Sequence, residues 1–338
     1  MSRSKTSISV IFTMIIVTGA NGFIGSVMVW QLNQSGHTDI LAVDSVDLIE
    51  RNLLKDRKIN RFLKHTELWA ALDTPEAQAK VTWVIHMGAC SSTTETNWEF
   101  LKENNLVYSQ KIFEWCAKHG KNLIYASSAA TYGSGEKGFD DSTNSETLKP
   151  LNLYGESKVQ FDRWIVKQNQ QPLHWYGLKF FNVFGPMEDH KGSMSSVAYK
   201  AFHQIQKENA LTLFKSHDSN YKDGEQLRDF VYVKDVTRWM MELMDKKPKS
   251  DIYNMGFGKA RTWLDLAGAI FNALGTTQKI NWIDIPENIR NQYQYFTEAK
   301  MSKWKSQGLS DPQWPLETAV KNYVTTYLSQ EPRRLENS

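Results

Sequence analysis

The chain has 338 residues, which is enough to bury a large core in one or two domains. Hydrophobic residues make up 41% and charged residues 23%, as in ordinary globular proteins, and a net charge of only +3 gives no electrostatic reason to expect nucleic acid binding. Two cysteines, Cys90 and Cys116, are too few for a disulfide framework and lack metal-site spacing, so we predict no metal site and a reducing compartment.

The two ends of the chain are expected to lie outside the folded unit. An apolar run near the start leads directly into a strand and glycine loop, so residues 1–13 are interpreted as an extension rather than a cleaved signal peptide. No stretch has the length and apolarity of a membrane span, and we predict no membrane partner. The polar residues 329–338 are expected to fray.

Strands and helices alternate through the first half of the sequence. The apolar runs that predict strands in this half are MIIVTG, DILAVD, VTWVIHMG, NLIYASS and WYGLKFFN. Segments with helical periodicity lie between these strands. The first ends at Gly36, another covers about 95–118, and a third contains YGESKVQFDRWIVKQ. Strands that are apolar on both faces predict an α/β fold, a Rossmann-type doubly wound parallel sheet covered by helices.

The alternation breaks after residue 182, where two long polar segments contain glycine. Loops of that length in a compact domain are usually functional or disordered. We therefore expect a dinucleotide-binding domain over 14–181, with returning segments at about 230–258 and 306–325. A smaller α/β substrate-binding lobe is expected over 182–229 and 259–305, including helices near 194–208 and 262–274.

The segment VTGANGFIG places Gly19, Gly22 and Gly25 between a strand and a helix. Glycine permits a tight turn and a close approach of backbone amides to a pyrophosphate, which the start of the helix also favours. Asp44 ends the next strand about 20 residues later, where a ribose hydroxyl would lie. The spacing differs from GxGxxG, but its context between strand and helix favours a nucleotide site over an unliganded turn.

The choice between NAD and NADP stays open at this point. Asp44 suits NAD, because its charge repels a 2′-phosphate. Arg51, Lys55 and Lys64 follow it and could bind that phosphate, although each of them alone is more typical of a solvated surface.

A possible acid–base group follows the NLIYASS strand. Ser127 and Ser128 lie at its carboxyl end, where open α/β sheets bind ligands, and Tyr154 and Lys158 lie one turn apart on the next helix. A tyrosine has a pKa of about 10, and a nearby ammonium and a cationic nicotinamide would lower it. A strand-end cap and a surface helix are the alternatives, and the glycine loop in the same chain favours catalysis.

The segments TGANGFIG, HMGACSSTTE, YASSAATYG, LNLYGESK, FFNVFGP, HKGSM, RDFVYV and YQYFT resemble the extended short-chain dehydrogenase/reductase superfamily. Within it the sequence is similar to the ADP-L-glycero-D-manno-heptose 6-epimerase family, from about Met14 to near residue 328. The resemblance implies an isomerase that inverts C6 of ADP-heptose with bound NADP, or with NAD as the alternative, for lipopolysaccharide inner-core biosynthesis. It also implies a cytoplasmic homo-oligomer, commonly a pentamer.

The resemblance implies roles for individual residues. Tyr154 takes the hydroxyl proton, Ser128 holds the developing oxygen charge, Lys158 binds nicotinamide ribose, and Lys191 in HKGSM is the second acid/base. Implied cofactor contacts are Gly19, Gly22, Phe23, Ile24, Gly25, Asp44, Ser45, Lys64, Met87, Gly88, Ala89, Cys90, Ser91, Asn104, Lys158, Val183 and Lys191. Implied substrate contacts are Asn182, Ser193, Lys200, Phe214, Lys215, Ser216, His217, Arg228 and Tyr293.

The sequence departs from the family pattern in the substrate-binding region. Lys200 stands where the family has histidine, and the loop HDSNYKDGEQ is longer than in some members. The alternative enzymes are another nucleotide-sugar epimerase, such as a UDP-hexose 4-epimerase, or a dehydratase. The former lack the lysine loop, and the latter usually carry an acidic pair near the serine. A non-enzymatic dinucleotide sensor is the third reading, and the intact Tyr154 and Lys158 disfavour it.

Overall fold

A computed structural model of the chain describes residues 13–290, 293–330 and 335–336. The strands are β1 (Met14–Thr18), β2 (Ile40–Asp44), β3 (Arg61–Lys64), β4 (Val81–His86), β5 (Asn122–Ser128), β6 (Trp175–Phe180), β7 (Asn182–Phe184), β8 (Leu211–Phe214), β9 (Leu227–Arg228), β10 (Phe230–Tyr232), β11 (Asp251–Met255), β12 (Arg261–Thr262) and β13 (Ile280–Ile283).

The helices are α1 (Phe23–Gln34), α2 (Leu68–Leu72), α3 (Pro75–Lys80), α4 (Trp98–Leu101), α5 (Tyr108–Lys118), α6 (Leu153–Ile165), α7 (Val197–Glu208), α8 (Val233–Lys246), α9 (Trp263–Leu274), α10 (Glu287–Arg290), α11 (Ser302–Ser306) and α12 (Leu316–Asn322). Short 3₁₀ segments are His65–Glu67, Ala129–Tyr132, Ser145–Thr147 and Asp189–Met194. The segments Lys102–Val107 and Tyr323–Leu328 are π-helical.

The central sheet has seven strands in the order β11-β6-β5-β4-β1-β2-β3, and every pair is parallel. Successive residues of β1 point to opposite faces, and both faces are buried: Ile15 and Val17 pack with α1 and α8, whereas Ile16 packs with α5 and α6. This confirms the predicted doubly wound sheet, and the apolar character of both faces explains why its strands do not alternate with polar residues.

Three short strand pairs lie outside the central sheet. They are β7 with β10, β8 with β13, and the antiparallel β9 with β12. Helices α7, α9 and α12 form a further apolar cluster with β7, β8, β10 and β13, and α1 contributes Phe23 and Val27 to it. The chain after residue 181 therefore surrounds the start of α1, which is where the glycine loop ends.

Several element boundaries differ from the expectation. The helix predicted from about residue 95 begins at Trp98, because Asn97 caps it by accepting a bond from the Phe100 amide at 3.1 Å. The helix predicted from 194 begins at Val197, because Ser196 caps it by accepting a bond from the Tyr199 amide at 3.1 Å. The edge strand β3 was not predicted, since its sequence RFLK is short and mostly polar.

The predicted extension, apart from Thr13, lies outside the described residues. Within the segment expected to fray, Leu335 is buried, and Arg57 donates hydrogen bonds to the carbonyls of Leu335 and Glu336 at 2.7 and 2.9 Å. Among the described residues, no helix combines the length and apolarity that crossing a membrane requires.

Candidate active site

A cavity of about 990 Å³ opens at the carboxyl ends of the central strands. It lies where the chain order of the sheet reverses between β1 and β4, the place where doubly wound sheets bind ligands. Most predicted cofactor contacts line it, namely Gly19, Gly22, Phe23, Ile24, Gly25, Asp44, Ser45, Met87, Gly88, Ala89, Cys90, Ser91, Asn104, Lys158, Val183 and Lys191. The predicted Ser128, Tyr154 and Asn182 line it as well.

The glycine loop packs closely against the segment that follows β4. Gly19 has a φ of 65°, and a Cβ there would lie 2.6 Å from the backbone nitrogen of Gly88. Gly22 stands at the N-cap of α1, and its lack of a side chain leaves the first amides of the helix to other partners. An open helix start beside a cavity suits the pyrophosphate of a dinucleotide.

A buried asparagine, Asn21, fixes this loop to the next strand. Its backbone amide donates to Asp44 Oδ2 at 2.9 Å, its side-chain oxygen accepts from Leu53 N at 2.9 Å, and its amide group donates to Val46 O at 3.2 Å. Asp44 also accepts from the Val46 amide at 3.0 Å. The Asp44 carboxylate therefore has a fixed orientation at the rim of the cavity, as a ribose contact requires.

Cationic and polar groups surround Asp44 at the cavity wall. The Arg51 guanidinium lies 3.9 Å from Asp44 Oδ1, and both Arg51 and His65 line the cavity. Among the described residues, Arg51 Nε and His65 Nδ1 are buried without a hydrogen-bond partner. Lys64, by contrast, points to Asp47 at 3.5 Å and does not line the cavity. The Arg51 guanidinium, with its unpartnered N–H, fits a cofactor that carries a phosphate beside its adenosine ribose.

The segment after β4 is held by a π-helical turn, Lys102–Val107. Asn105 accepts from the Cys90 amide at 2.8 Å and donates to the Cys90 carbonyl at 3.0 Å, while the neighbouring Asn104 lines the cavity. In this π-helical turn, Asn104 faces the cavity while its neighbour Asn105 bonds to the backbone of Cys90. Sequence reasoning found Asn104 through the family resemblance and missed Asn105, whose role depends on a contact 15 residues away.

Ser128, Tyr154 and Lys158 come together at the cavity. Burial lowers the pKa of Lys158 to about 8, and Lys158 Nζ donates to the Ala126 carbonyl at 2.9 Å and lies 6.0 Å from the centre of the Tyr154 ring. Burial raises the pKa of Tyr154, and the Ser128 hydroxyl acts in the opposite direction. A phenol, a hydroxyl and an amine at one wall can exchange a proton with a substrate alcohol.

Lys191 lines the same cavity but comes from the segment that follows β7. It lies on the 3₁₀ segment Asp189–Met194, and its ammonium is 5.3 Å from the centre of the Phe23 ring. Burial lowers the pKa of Lys191, while the nearby Glu188 raises it. The fully buried Glu188 holds the loop, because its carboxylate accepts from the Gly185 amide at 3.1 Å and its backbone carbonyl accepts from the Lys191 amide at 3.0 Å.

Some predicted substrate contacts form a second cluster beside the cavity. The Arg228 guanidinium lies 5.4 Å from the Trp263 ring and 5.3 Å from the Tyr293 ring, and Phe214 meets Tyr293 edge to face. Trp263 Nε1 donates to Tyr293 OH at 3.0 Å, and Trp263 also lines the cavity. Trp263 therefore joins this cluster to the cavity. The sequence offered no signal for it beyond its being one of twelve tryptophans.

The other predicted substrate contacts lie off the cavity wall. Lys200 donates to the Ser193 carbonyl at 3.3 Å. Lys215 faces Asp284 at 3.8 Å, and Ser216 Oγ donates to the Asp218 carbonyl at 2.8 Å. His217 accepts from the Ile285 amide at 3.3 Å. Of the three cations considered for a 2′-phosphate, Arg51 lines the cavity. Residues that line the cavity without having been predicted as contacts include His65, Tyr108, His190 and Trp263.

Comparison with known proteins identifies the class. Residues 15–256 match the family model described as the NAD dependent epimerase/dehydratase family. The chain belongs to this family, whose description agrees with a glycine loop, a strand-end acid and an acid–base pair in one cavity.

Full-length relatives narrow the class. A Fusobacterium nucleatum protein named ADP-L-glycero-D-manno-heptose-6-epimerase is 45% identical over 94% of this chain and 99% of its own length. A protein of that name from Nitratidesulfovibrio vulgaris is 46% identical over 94% and 98%. Within the broader family, the chain belongs with these ADP-L-glycero-D-manno-heptose-6-epimerases.

Solved structures agree with the fold. The Helicobacter pylori ADP-L-glycero-D-manno-heptose-6-epimerase has a TM-score of 0.75 at 25% identity, over 94% of this chain and 96% of that one. The UDP-glucose 4-epimerase of Thermotoga maritima has the same TM-score at 22% identity, over 92% and 97%, and shows the fold alone.

Proposed function

We propose that the protein interconverts ADP-D-glycero-D-manno-heptose and ADP-L-glycero-D-manno-heptose at C6, for lipopolysaccharide inner-core biosynthesis. The observation that carries the proposal is one cavity lined by Tyr154 and Lys158 from α6 and by Lys191 from the Asp189–Met194 segment. The full-length relatives of that name support the substrate.

When bound, a nicotinamide dinucleotide held by the glycine loop, Asp44 and Lys158 would supply reversible hydride transfer at C6 of the sugar. Tyr154 accepts the C6 hydroxyl proton on one side, and Ser128 donates a hydrogen bond to the oxygen as its charge develops. Lys158, held at the Ala126 carbonyl, keeps positive charge near the phenol and favours the phenolate.

Inversion requires a second proton donor, because the carbonyl oxygen lies on the other side after the sugar turns. Lys191 is proposed for this role, since it lines the same cavity as Tyr154, its amine lies over the Phe23 ring at the start of α1, and burial lowers its pKa. Oxidation followed by reduction leaves no net redox change, so the cofactor stays bound between the two steps.

NADP is the proposed cofactor, with NAD as the alternative. Among the described residues, Arg51 and His65 each have a buried nitrogen without a hydrogen-bond partner, and both line the cavity. The Arg51 guanidinium also lies beside Asp44, and these features support a 2′-phosphate on the cofactor. Mass spectrometry of the dinucleotide released from the purified protein tests this choice. Release of NAD alone would contradict it.

The remaining proposals concern organisation. A dinucleotide-binding domain over 14–181, with returning segments at about 230–258 and 306–325, carries the cofactor. The lobe of 182–229 and 259–305 carries the nucleotide-sugar, supported by the cluster around Arg228. We also propose a cytoplasmic homo-oligomer, and analytical ultracentrifugation of the purified protein would reject it by showing a monomer alone.

The decisive experiment supplies purified protein with the D,D form of ADP-heptose and resolves the L,D product by chromatography. A Tyr154→Phe protein is the control for turnover at this site. Turnover of UDP-galactose without turnover of ADP-heptose would favour a UDP-hexose 4-epimerase instead. Full activity of Tyr154→Phe would remove the proposed chemistry from the cavity.

A further inference from the structure

We propose that the buried ion pair of Asp162 and Lys179 is a positioning device for the reaction, holding the strand end that carries Ser128 against the helix that carries Tyr154 and Lys158. The inference rests on the acid–base roles proposed above. Neither member of the pair lines the cavity, so each would act through other residues.

The pair is completely enclosed. The side chains of Asp162 and Lys179 are 0% and 2% exposed, and Lys179 Nζ lies 2.9 Å from Asp162 Oδ2. Desolvation of two charges offsets most of their attraction, and an apolar pair of similar volume often stabilises a protein equally well. The pair is therefore a poor device for stability alone, and its neighbours indicate what else it does.

Asp162 lies one helical turn after Lys158 on α6 and accepts bonds from two side chains of β5. Tyr125 OH donates to Asp162 Oδ1 at 2.9 Å, and Ser127 Oγ donates to Asp162 Oδ2 at 2.7 Å. Between them, the Ala126 carbonyl accepts from Lys158. Three consecutive residues at the end of β5 are thus joined to the same face of α6.

Lys179 extends the connection to the catalytic serine itself. Its ammonium donates to Thr131 Oγ1 at 2.6 Å, and Thr131 Oγ1 donates in turn to the Ser128 carbonyl at 2.7 Å. On β6, Lys179 pairs in register with Ser127 of the adjacent strand β5. The ion pair therefore controls both the side chain before Ser128 and the backbone of Ser128.

Charge is the second means of control. Burial lowers the pKa of Lys158 to about 8, and the Asp162 carboxylate is the largest influence that opposes this. The other titratable groups that face Lys158 are Tyr154 on α6, Cys90 after β4, and His86 on β4. His86 is neutral at working pH, because burial lowers its pKa to about 3. Asp162 thus supplies the negative charge that favours the ammonium.

The test compares Asp162→Asn with the double variant Asp162→Asn/Lys179→Met in the full-length holoenzyme. Asp162→Asn leaves the Lys179 ammonium uncompensated, so kcat falls on the order of tenfold with KM changed less than about threefold. The alkaline limb of the pH–activity profile then shifts to lower pH by about one unit, because Lys158 loses its proton at a lower pH. The double variant removes the uncompensated Lys179 ammonium but still lacks the Asp162 charge, so its alkaline limb is expected to stay shifted with that of Asp162→Asn.

Asp235→Asn is the matched control. Asp235 is also fully buried and has a cationic partner, Arg238, at 2.9 Å, but it lies on α8 and does not line the cavity. It is expected to lower thermal stability and to leave the pH profile of the remaining activity unchanged. A pH profile of Asp162→Asn that matches that of Asp235→Asn would overturn the positioning role.

Thr131→Val keeps the inference testable if Asp162→Asn fails to fold. It preserves both charges and the side-chain shape while removing the link from Lys179 to Ser128, so kcat falls and the alkaline limb stays in place. An unchanged kcat in Thr131→Val overturns the proposal. Full activity of Tyr154→Phe and Lys158→Met would instead reject the acid–base roles on which it depends.

Discussion

Replacement of Lys191 by methionine separates the two halves of the proposed inversion. Methionine keeps the length and packing of the side chain over Phe23 and removes the amine. In the described part of the chain, the lysines that line the cavity are Lys158 and Lys191, and Lys158 is bound to the Ala126 carbonyl. No second amine is placed to substitute, so we predict that epimerisation slows about 10²–10⁴-fold, the range for a lost general acid or base.

The assay follows hydride transfer separately from inversion. Each epimer of the substrate is mixed with the holoenzyme, and the near-ultraviolet absorbance of the reduced nicotinamide is recorded in a single turnover. Lys191→Met is expected to slow reduction with one epimer only, and Tyr154→Phe with the other. The reason is that each base meets the C6 hydroxyl of one configuration.

The control and the refuting result are equally specific. Lys167→Met removes an exposed lysine that pairs with Glu146 on the surface, and it should leave both rates unchanged. If Lys191→Met reduced the cofactor normally with both epimers, Lys191 would have no part in proton transfer. If it slowed both epimers equally, it would act in binding rather than on one face of the sugar.

Three further predictions concern the cofactor, the substrate and the fold. Arg51→Ala should weaken binding of NADP about tenfold, the equivalent of one charge-assisted hydrogen bond at a partly exposed site, and leave NAD binding nearly unchanged; fluorescence titration of both dinucleotides into cofactor-free protein measures this. Trp263→Ala should raise KM for ADP-heptose about tenfold through the lost stacking on Arg228 while kcat changes less than about threefold, and an unchanged KM would separate Trp263 from the substrate. His86 is buried neutral with its pKa lowered to about 3, so its contribution to stability is complete above its unfolded pKa of about 6.5 and is lost as pH falls, by up to about 1.4 kcal/mol per pH unit. Urea unfolding at neutral and acidic pH should show a smaller loss in His86→Gln, and an equal loss would contradict the assignment.

The sequence by itself determined the elements whose signals are local. Strands such as β1 and β5 are recognisable from consecutive apolar residues. The tight turn after β1 is recognisable from its glycines, and Gly19 does adopt a positive φ there. The spacing of Tyr154 and Lys158 placed them on one helical face. Local chemistry also gave the doubly wound class, since strands buried on both faces lead to helices on both sides.

Only the tertiary structure decided which distant side chains meet. The sequence does not single out Asp162 or Lys179, and their burial against Ser127 and Thr131 appears only when β5, β6 and α6 pack together. The same is true of Trp263 beside Arg228. Composition fixes which groups a chain possesses, but the energy of a buried charge or hydrogen bond depends on its surroundings, and those are set by segments far apart in sequence.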